Sequence, residues 1–223
     1  MGVEKAKLEE KPLRIMRIHF IDIDMLKPHE ALDPLELELF IKSMNEKGVF
    51  YKPMLVDKNS FVILDGHHRW AALKKMGAKK IPCIFLDYFD EEIKLYTWYP
   101  VLNEKLEKIL KFFNHKSLSG YEKYLEKYSF VITDGKKYYG LKDRKDIIRY
   151  IEKKGYNFEY VDTIETALKE TRNGKTAFLR RSLTKKEVIE KASRNEVFSP
   201  KTTRHWFPYK YPYLYIKKEE MIR

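Results

Sequence analysis

Three stretches of this chain gather side chains that could do chemistry. The first is Asp65-Gly66-His67-His68-Arg69. Before it, Ser60-Phe61-Val62-Ile63-Leu64 is a short apolar run with the β-branched residues of a buried strand. After it, Trp70-Ala71-Ala72-Leu73-Lys74-Lys75-Met76 repeats apolar residues at helical spacing, and Gly77 is a natural stop. A strand, an Asp-Gly turn and a helix opening on His67, His68 and Arg69 aim backbone N–H groups and a positive helix end at one spot, which suits an anionic oxygen. Arg69 adds a fork for phosphate or carboxylate. Asp65 is a candidate metal ligand or polar anchor, although a turn and cap residue of the same kind is common. His67 and His68 could equally form a solvated first turn. They do not suggest a zinc site, because adjacent histidines on a helix point in different directions.

The second stretch is Ser199-Pro200-Lys201-Thr202-Thr203-Arg204-His205. Two hydroxyls, two cations and an imidazole follow one another, a set able to hold a carboxylate or phosphate. A plain solvated basic loop has the same look. The third is Lys27-Pro28-His29-Glu30, where Glu30 sits just before a helix start, placed so that an ionised carboxylate can act on a ligand. Tyr96-Thr97-Trp98-Tyr99-Pro100 could be core packing or the wall of a small-molecule pocket.

The elements that must position these residues are legible from local rules. Residues 14–23 read as a strand. Asp33, Pro34 and Glu36 form a strong helix start, with Leu37, Phe40, Ile41 and Met44 on one face and Gly48 as the stop. Residues 54–56, 60–64 and 81–88 read as strands. Farther on, 104–113 and 121–128 read as amphipathic helices, and 130–139 as a hairpin about Asp134-Gly135. Residues 143–154 and 162–172 read as helices with Asp caps, and 175–181 as a strand. Thr184 and Glu187 make a capping box that opens a helix to about Arg194. Tyr209 to Tyr215 reads as a terminal extended segment. The alternation implies an α/β (α+β) fold. Residues 1–102 and 175–223 are expected to form the core, and 103–174 an inserted smaller α/β domain or lid.

The 223 residues and 43% hydrophobic content suffice for a sizeable core. No apolar stretch is long enough for a membrane span, and the N-terminus lacks a signal-peptide core, so a cytoplasmic protein is expected. The single cysteine, Cys83, lies in an apolar run and reads as a buried strand residue. Lys and Arg exceed Asp and Glu by 45 − 33 = 12, with 16 tyrosines, a balance that raises nucleic acid as a partner. Yet the lysines interleave with acids, as on ion-paired surface helices and in hyperthermophile proteins. The charge therefore points to small phosphorylated ligands ahead of nucleic acid.

These motifs together, with Asp87-Tyr88-Phe89-Asp90-Glu91 and in this order, resemble the archaeal free L-serine kinases of the ParB/sulfiredoxin-like superfamily. The resemblance covers about 27–100 and 184–205. It implies phosphoryl transfer from ADP (giving AMP) or ATP to free L-serine, yielding O-phospho-L-serine for cysteine synthesis, with Mg²⁺ as cofactor; a monomer is expected. It assigns Glu30 as catalytic base, Asp65 as a catalytic residue and metal ligand, and Asp65, Gly66, His67, His68 and Arg69 as the phosphate region. Ser43, Val49, Phe50 and Lys52 would meet the nucleotide. Trp98, Lys201, Thr202, Thr203, Arg204 and His205 would surround serine. Two rivals share the fold: a ParB-like nucleotide-dependent DNA-binding or partition protein, and a sulfiredoxin-like reductase. The first lacks a clear helix-turn-helix pair, and the second needs a reactive cysteine beside the phosphate turn.

Overall fold

The structure, a computed structural model, describes residues 16–50, 52–142, 147–208 and 214–221. In chain order these form β1 (Ile18–Asp22), α1 (Pro34–Lys47), β2 (Val49–Phe50), β3 (Met54–Asp57), β4 (Ile63–Asp65), α2 (His67–Lys75) and β5 (Lys80–Leu86). Next come β6 (Lys94–Tyr96), β7 (Tyr99–Leu102), α3 (Leu106–Leu110), β8 (His115–Leu118), β9 (Phe130–Thr133), β10 (Tyr138–Leu141), α4 (Ile147–Glu152), β11 (Phe158–Val161) and α5 (Ile164–Thr171). The chain closes with β12 (Thr176–Leu179), α6 (Lys185–Ser193), β13 (Arg204–Trp206), β14 (Ile216–Lys217) and α7 (Lys218–Met221). No helix among the described residues is long and apolar enough to cross a membrane.

The chain divides into two units. The first takes Met1–Lys94, Thr184–Pro200 and His205–Arg223. Its four-stranded sheet runs β1-β5-β3-β4, with β3 parallel to β5 and the two other pairings antiparallel. Helix α1 follows from its caps. Asp33 Oδ1 accepts from the Leu35 and Glu36 N–H groups at 2.9 and 3.3 Å, and Gly48 ends the helix at φ 66° with its N–H on the Met44 carbonyl. Met44, Phe50, Met54, Ile63, Leu73 and Cys83 are among the buried residues that join helices and sheet in one apolar core.

The second unit takes Leu95–Leu183 and Lys201–Arg204. Its six-stranded sheet runs β11-β7-β12-β9-β10-β8, antiparallel throughout. The sequence divides the chain at 102/103 and 174/175. The unit boundaries fall at 94/95 and 183/184, because β7 and β12 are interior strands of this sheet, paired with β11 and β9.

Three local expectations change. Residues 121–128 form a 3-10 turn over Glu122–Tyr124 instead of a helix, with Tyr124 N–H on Tyr121 O and Lys127 N–H on Tyr124 O. Tyr128 N–H still reaches Tyr124 O, and its ring lies against Gly140, where a Cβ would be 2.6 Å away. The helix expected over 104–113 contracts to α3, whose C-terminal end tightens into i→i+3 bonds at Phe112 and Phe113. Thr163 caps α5 in place of Asp162, whose carboxylate faces Arg204 at 3.4 Å. Parts of the first strand (14–15), of the 143–154 helix (143–146) and of the terminal segment (209–213) lie outside the described residues.

The capping geometry of α1 gives a direct test. Asp33→Ala removes the acceptor for two first-turn amides and should lower stability by about 1 kcal/mol. Urea denaturation should show a lower midpoint with an unchanged slope.

Candidate active site

Strand β4 delivers Asp65 to the end of the sheet, Gly66 turns the chain, and α2 starts at His67. Gly66 has φ 112°, and a Cβ there would lie 2.8 Å from both Arg69 Nη2 and Met54 Cγ. Backbone conformation and close packing therefore both demand glycine. Arg69 is buried and donates from Nη2 to Asp65 Oδ2 at 2.9 Å, with Lys52 Nζ 3.5 Å from the same oxygen. One carboxylate thus orients two cations beside a helix N-terminus whose N-cap carries no side chain to occupy its amides.

The loop bearing Glu30 is fastened to this turn. The His29 N–H donates to His67 Nε2, and the Asp33 N–H to His68 Nε2, both at 3.2 Å. On its other side, Phe198 N–H donates to His29 O and Ala31 N–H to Phe198 O, both at 2.8 Å, so a parallel bridge brackets Glu30. Lys27 is bridged to Val62 just before β4, with Ile63 N–H on Lys27 O at 3.0 Å. The family resemblance assigns His67 and His68 to the phosphate region. In the structure their Nε2 atoms hold the backbone on either side of Glu30. Phe198 carried no sequence signal for this role, because its partners lie far away in the chain.

Beneath the loop lies a group of imidazoles. The His29 ring is 4.5 Å from His67 and 5.5 Å from His205, both edge-on. Burial lowers the His29 pKa to about 4 and that of His205 to about 3. Burial also pushes His67 well below its usual value, reinforced by His29 and His205. A neutral His67 is what its accepting Nε2 requires. His205 Nε2 lies 2.7 Å from the hydroxyl of Tyr88, a fully buried residue whose N–H rests on the buried Asp57 carboxylate at 3.0 Å. Cys83 is buried in β5, and burial pushes its thiol up to about 12, so it is no nucleophile.

Ser43 lies on α1, while Val49 and Phe50 form β2, paired with β14 and buried. Phe50 is thereby a core residue. Of the residues assigned to the nucleotide outside the Gly66 turn, Lys52 is the one drawn to the Asp65 carboxylate.

The second unit holds the other polar set. Arg204 lies over Tyr96 and Trp98, 5.7 and 5.2 Å from their ring centres, with Asp162 at 3.4 Å. Lys201 Nζ sits 4.9 Å over Tyr160, and the Thr97 hydroxyl donates to Thr202 O at 2.8 Å. Asp162 and Tyr160 were not picked out from sequence, and their spacing from Lys201 and Arg204 offered no local signal.

Comparison with known proteins identifies the family. Residues 3–97 match the ParB N-terminal domain family. The chain is 36% identical over 243 aligned positions to the ADP-dependent L-serine kinase SerK of Thermococcus kodakarensis, covering 100% of both chains. It is 38% identical to an ATP-dependent L-serine kinase of Staphylothermus marinus, covering 89% of this chain and 88% of that one. The chain belongs to the L-serine kinase family. A solved free serine kinase in complex with AMP superposes with a TM-score of 0.84 at 35% identity, covering 94% of this chain and 95% of that one. The mixed α/β architecture is thus the ParB-like fold of the family's solved members.

The buried imidazoles predict a pH dependence with a definite sign. Their folded pKa values lie below the ordinary histidine value, so the unfolded chain binds more protons as acid is added. Stability should be full above about pH 6.5 and fall as pH drops from there toward 4 and 3, by up to about 1.4 kcal/mol per pH unit for each such histidine. Denaturant titrations at stepped pH, with a His29→Asn variant showing a shallower slope, check this.

Proposed function

We propose that this chain transfers a phosphoryl group from an adenine nucleotide, ADP or ATP, to the hydroxyl of free L-serine, giving O-phospho-L-serine. The observation that carries the reading is the fastening of the Glu30 loop to the first turn of α2 by His67 and His68. It joins a carboxylate able to accept a proton to a turn built for phosphate, within one unit. Family membership supports the same reading.

Phosphoryl transfer asks chiefly for alignment and charge neutralisation. The serine oxygen attacks the terminal phosphorus, the bond to the leaving phosphate oxygen breaks, and AMP or ADP departs. In this reading Glu30 takes the hydroxyl proton. Arg69, oriented by Asp65, and the α2 amides take charge on the phosphates, with Lys52 beside them. Among the described residues no group of three or more His, Cys, Asp or Glu is arranged to cage a metal. Mg²⁺ keeps most of its waters and needs one or two carboxylates with the nucleotide phosphates. Asp65 is the carboxylate placed to hold it, and the ion would supply further neutralisation of phosphate charge. For the cation that serine's carboxylate requires, the family resemblance points to Arg204 or Lys201. The product would feed cysteine synthesis.

Incubation with L-serine and either nucleotide, read by phosphorus NMR, should show phosphoserine together with AMP from ADP or ADP from ATP. Absence of phosphoserine with both donors would overturn the reading. Glu30→Gln keeps shape and loses basicity, so kcat should fall about 10²–10⁴-fold with nucleotide affinity nearly unchanged. Turnover within a few-fold of wild type would move the base elsewhere.

A further inference from the structure

Arg180 lies just beyond β12, and nothing in the sequence distinguishes it from other strand-end arginines. In the structure it is buried. Its guanidinium packs on the Phe130 ring, 5.4 Å from the ring centre. Nε and Nη2 donate to the Trp98 carbonyl at 3.1 and 2.8 Å. Nη2 also donates to the Lys201 carbonyl, and Nη1 to the Thr202 hydroxyl at 3.3 Å. One planar fork therefore ties Trp98 to Lys201 and Thr202, residues far apart in the chain. Thr97 adds a parallel tie through its hydroxyl to Thr202 O.

What these bonds hold is unusual backbone. Lys201 has φ 57°, a left-handed conformation that residues with a side chain rarely adopt. Such a conformation persists only where its surroundings determine it, and here the Lys201 carbonyl is an acceptor for Arg180. Burying an arginine is itself unfavourable, and its donors need well-placed acceptors to compensate. The loop carbonyls and the arginine thus depend on each other. Three residues on, Arg204 lies over Tyr96 and Trp98.

We propose that Arg180 is the positioning residue of the serine-binding loop: it touches no reacting atom but fixes Lys201, Thr202 and Trp98 in the arrangement that receives the amino acid. This rests on the kinase reading above. A lysine cannot replace the fork, because its single ammonium cannot match three acceptors held in a planar pattern.

The test uses the full-length chain with Arg180→Met and Arg180→Lys. The KM for serine should rise about tenfold or more in both, while the KM and directly titrated affinity for the nucleotide stay within about twofold. Hydrogen exchange at the amides of 202–204 should quicken in the same variants, with exchange in α2 unchanged. A serine KM within twofold of wild type, or equal rises for both substrates, would overturn the proposal. If Arg180→Met fails to fold, Thr97→Val decides, with a smaller rise confined to the serine KM expected and no rise overturning it. Failure of the kinase reading itself would appear separately, as no phosphoserine from the wild-type chain. The exchange data would then still decide whether Arg180 holds the loop, and unchanged exchange would refute it.

Discussion

The constraint on which the first unit depends is a pair of hydrogen bonds from backbone to imidazole. His67 and His68, side by side at the start of α2, accept from the His29 and Asp33 amides. Being adjacent on a helix, they point in different directions, and this lets them grip the loop at two points with Glu30 between. The bonds require accepting, hence unprotonated, nitrogens. For His67, burial together with the neighbouring His29 and His205 keeps the ring neutral. The same carbonyl-and-amide exchange with Phe198 brackets Glu30 from the other side. In the proposed reaction Glu30 is the base, and a base that must reach a hydroxyl within hydrogen-bond distance gains most from a backbone with no alternative path.

Around that joint, each component serves alignment more than bulk stability. Gly66 is required by its backbone angle and by the guanidinium of Arg69 lying against it. Asp65 holds Arg69 and Lys52 by one oxygen, so the two cations are oriented from one point. In the second unit, Arg180 and Thr97 do for the Lys201–Arg204 segment what the histidines do for Glu30. Both units fix functional loops by side chains that bond to distant backbone.

What was legible in the sequence divides along the same line between near and distant partners. The start and stop of α1, the Asp65-Gly66 turn, the Asp134-Gly135 hairpin and the Thr184 capping box depend on neighbours within four residues, and all are present. The helix expected over 121–128 is instead a 3-10 turn over Glu122–Tyr124, and Tyr128 lies against Gly140, a contact no local pattern reveals. The chemistry-bearing residues could be named from their types, but their distant backbone partners could not. His67 and His68 accept from amides 38 and 35 residues away, which no local pattern shows. Arg180 and Phe198 carried no signal, since their meaning lies wholly in the carbonyls and amides that folding brings to them.

The most direct measurement is the kinetics and nucleotide binding of His67→Phe, which keeps a ring in the same space and removes the acceptor nitrogen. If His67 acts by fixing the Glu30 loop, kcat for phosphoserine formation falls at least tenfold while the nucleotide Kd by calorimetry stays within about twofold. If instead the nucleotide Kd weakens strongly and kcat at saturating nucleotide is preserved, His67 is a phosphate ligand and the Glu30 loop does not depend on it.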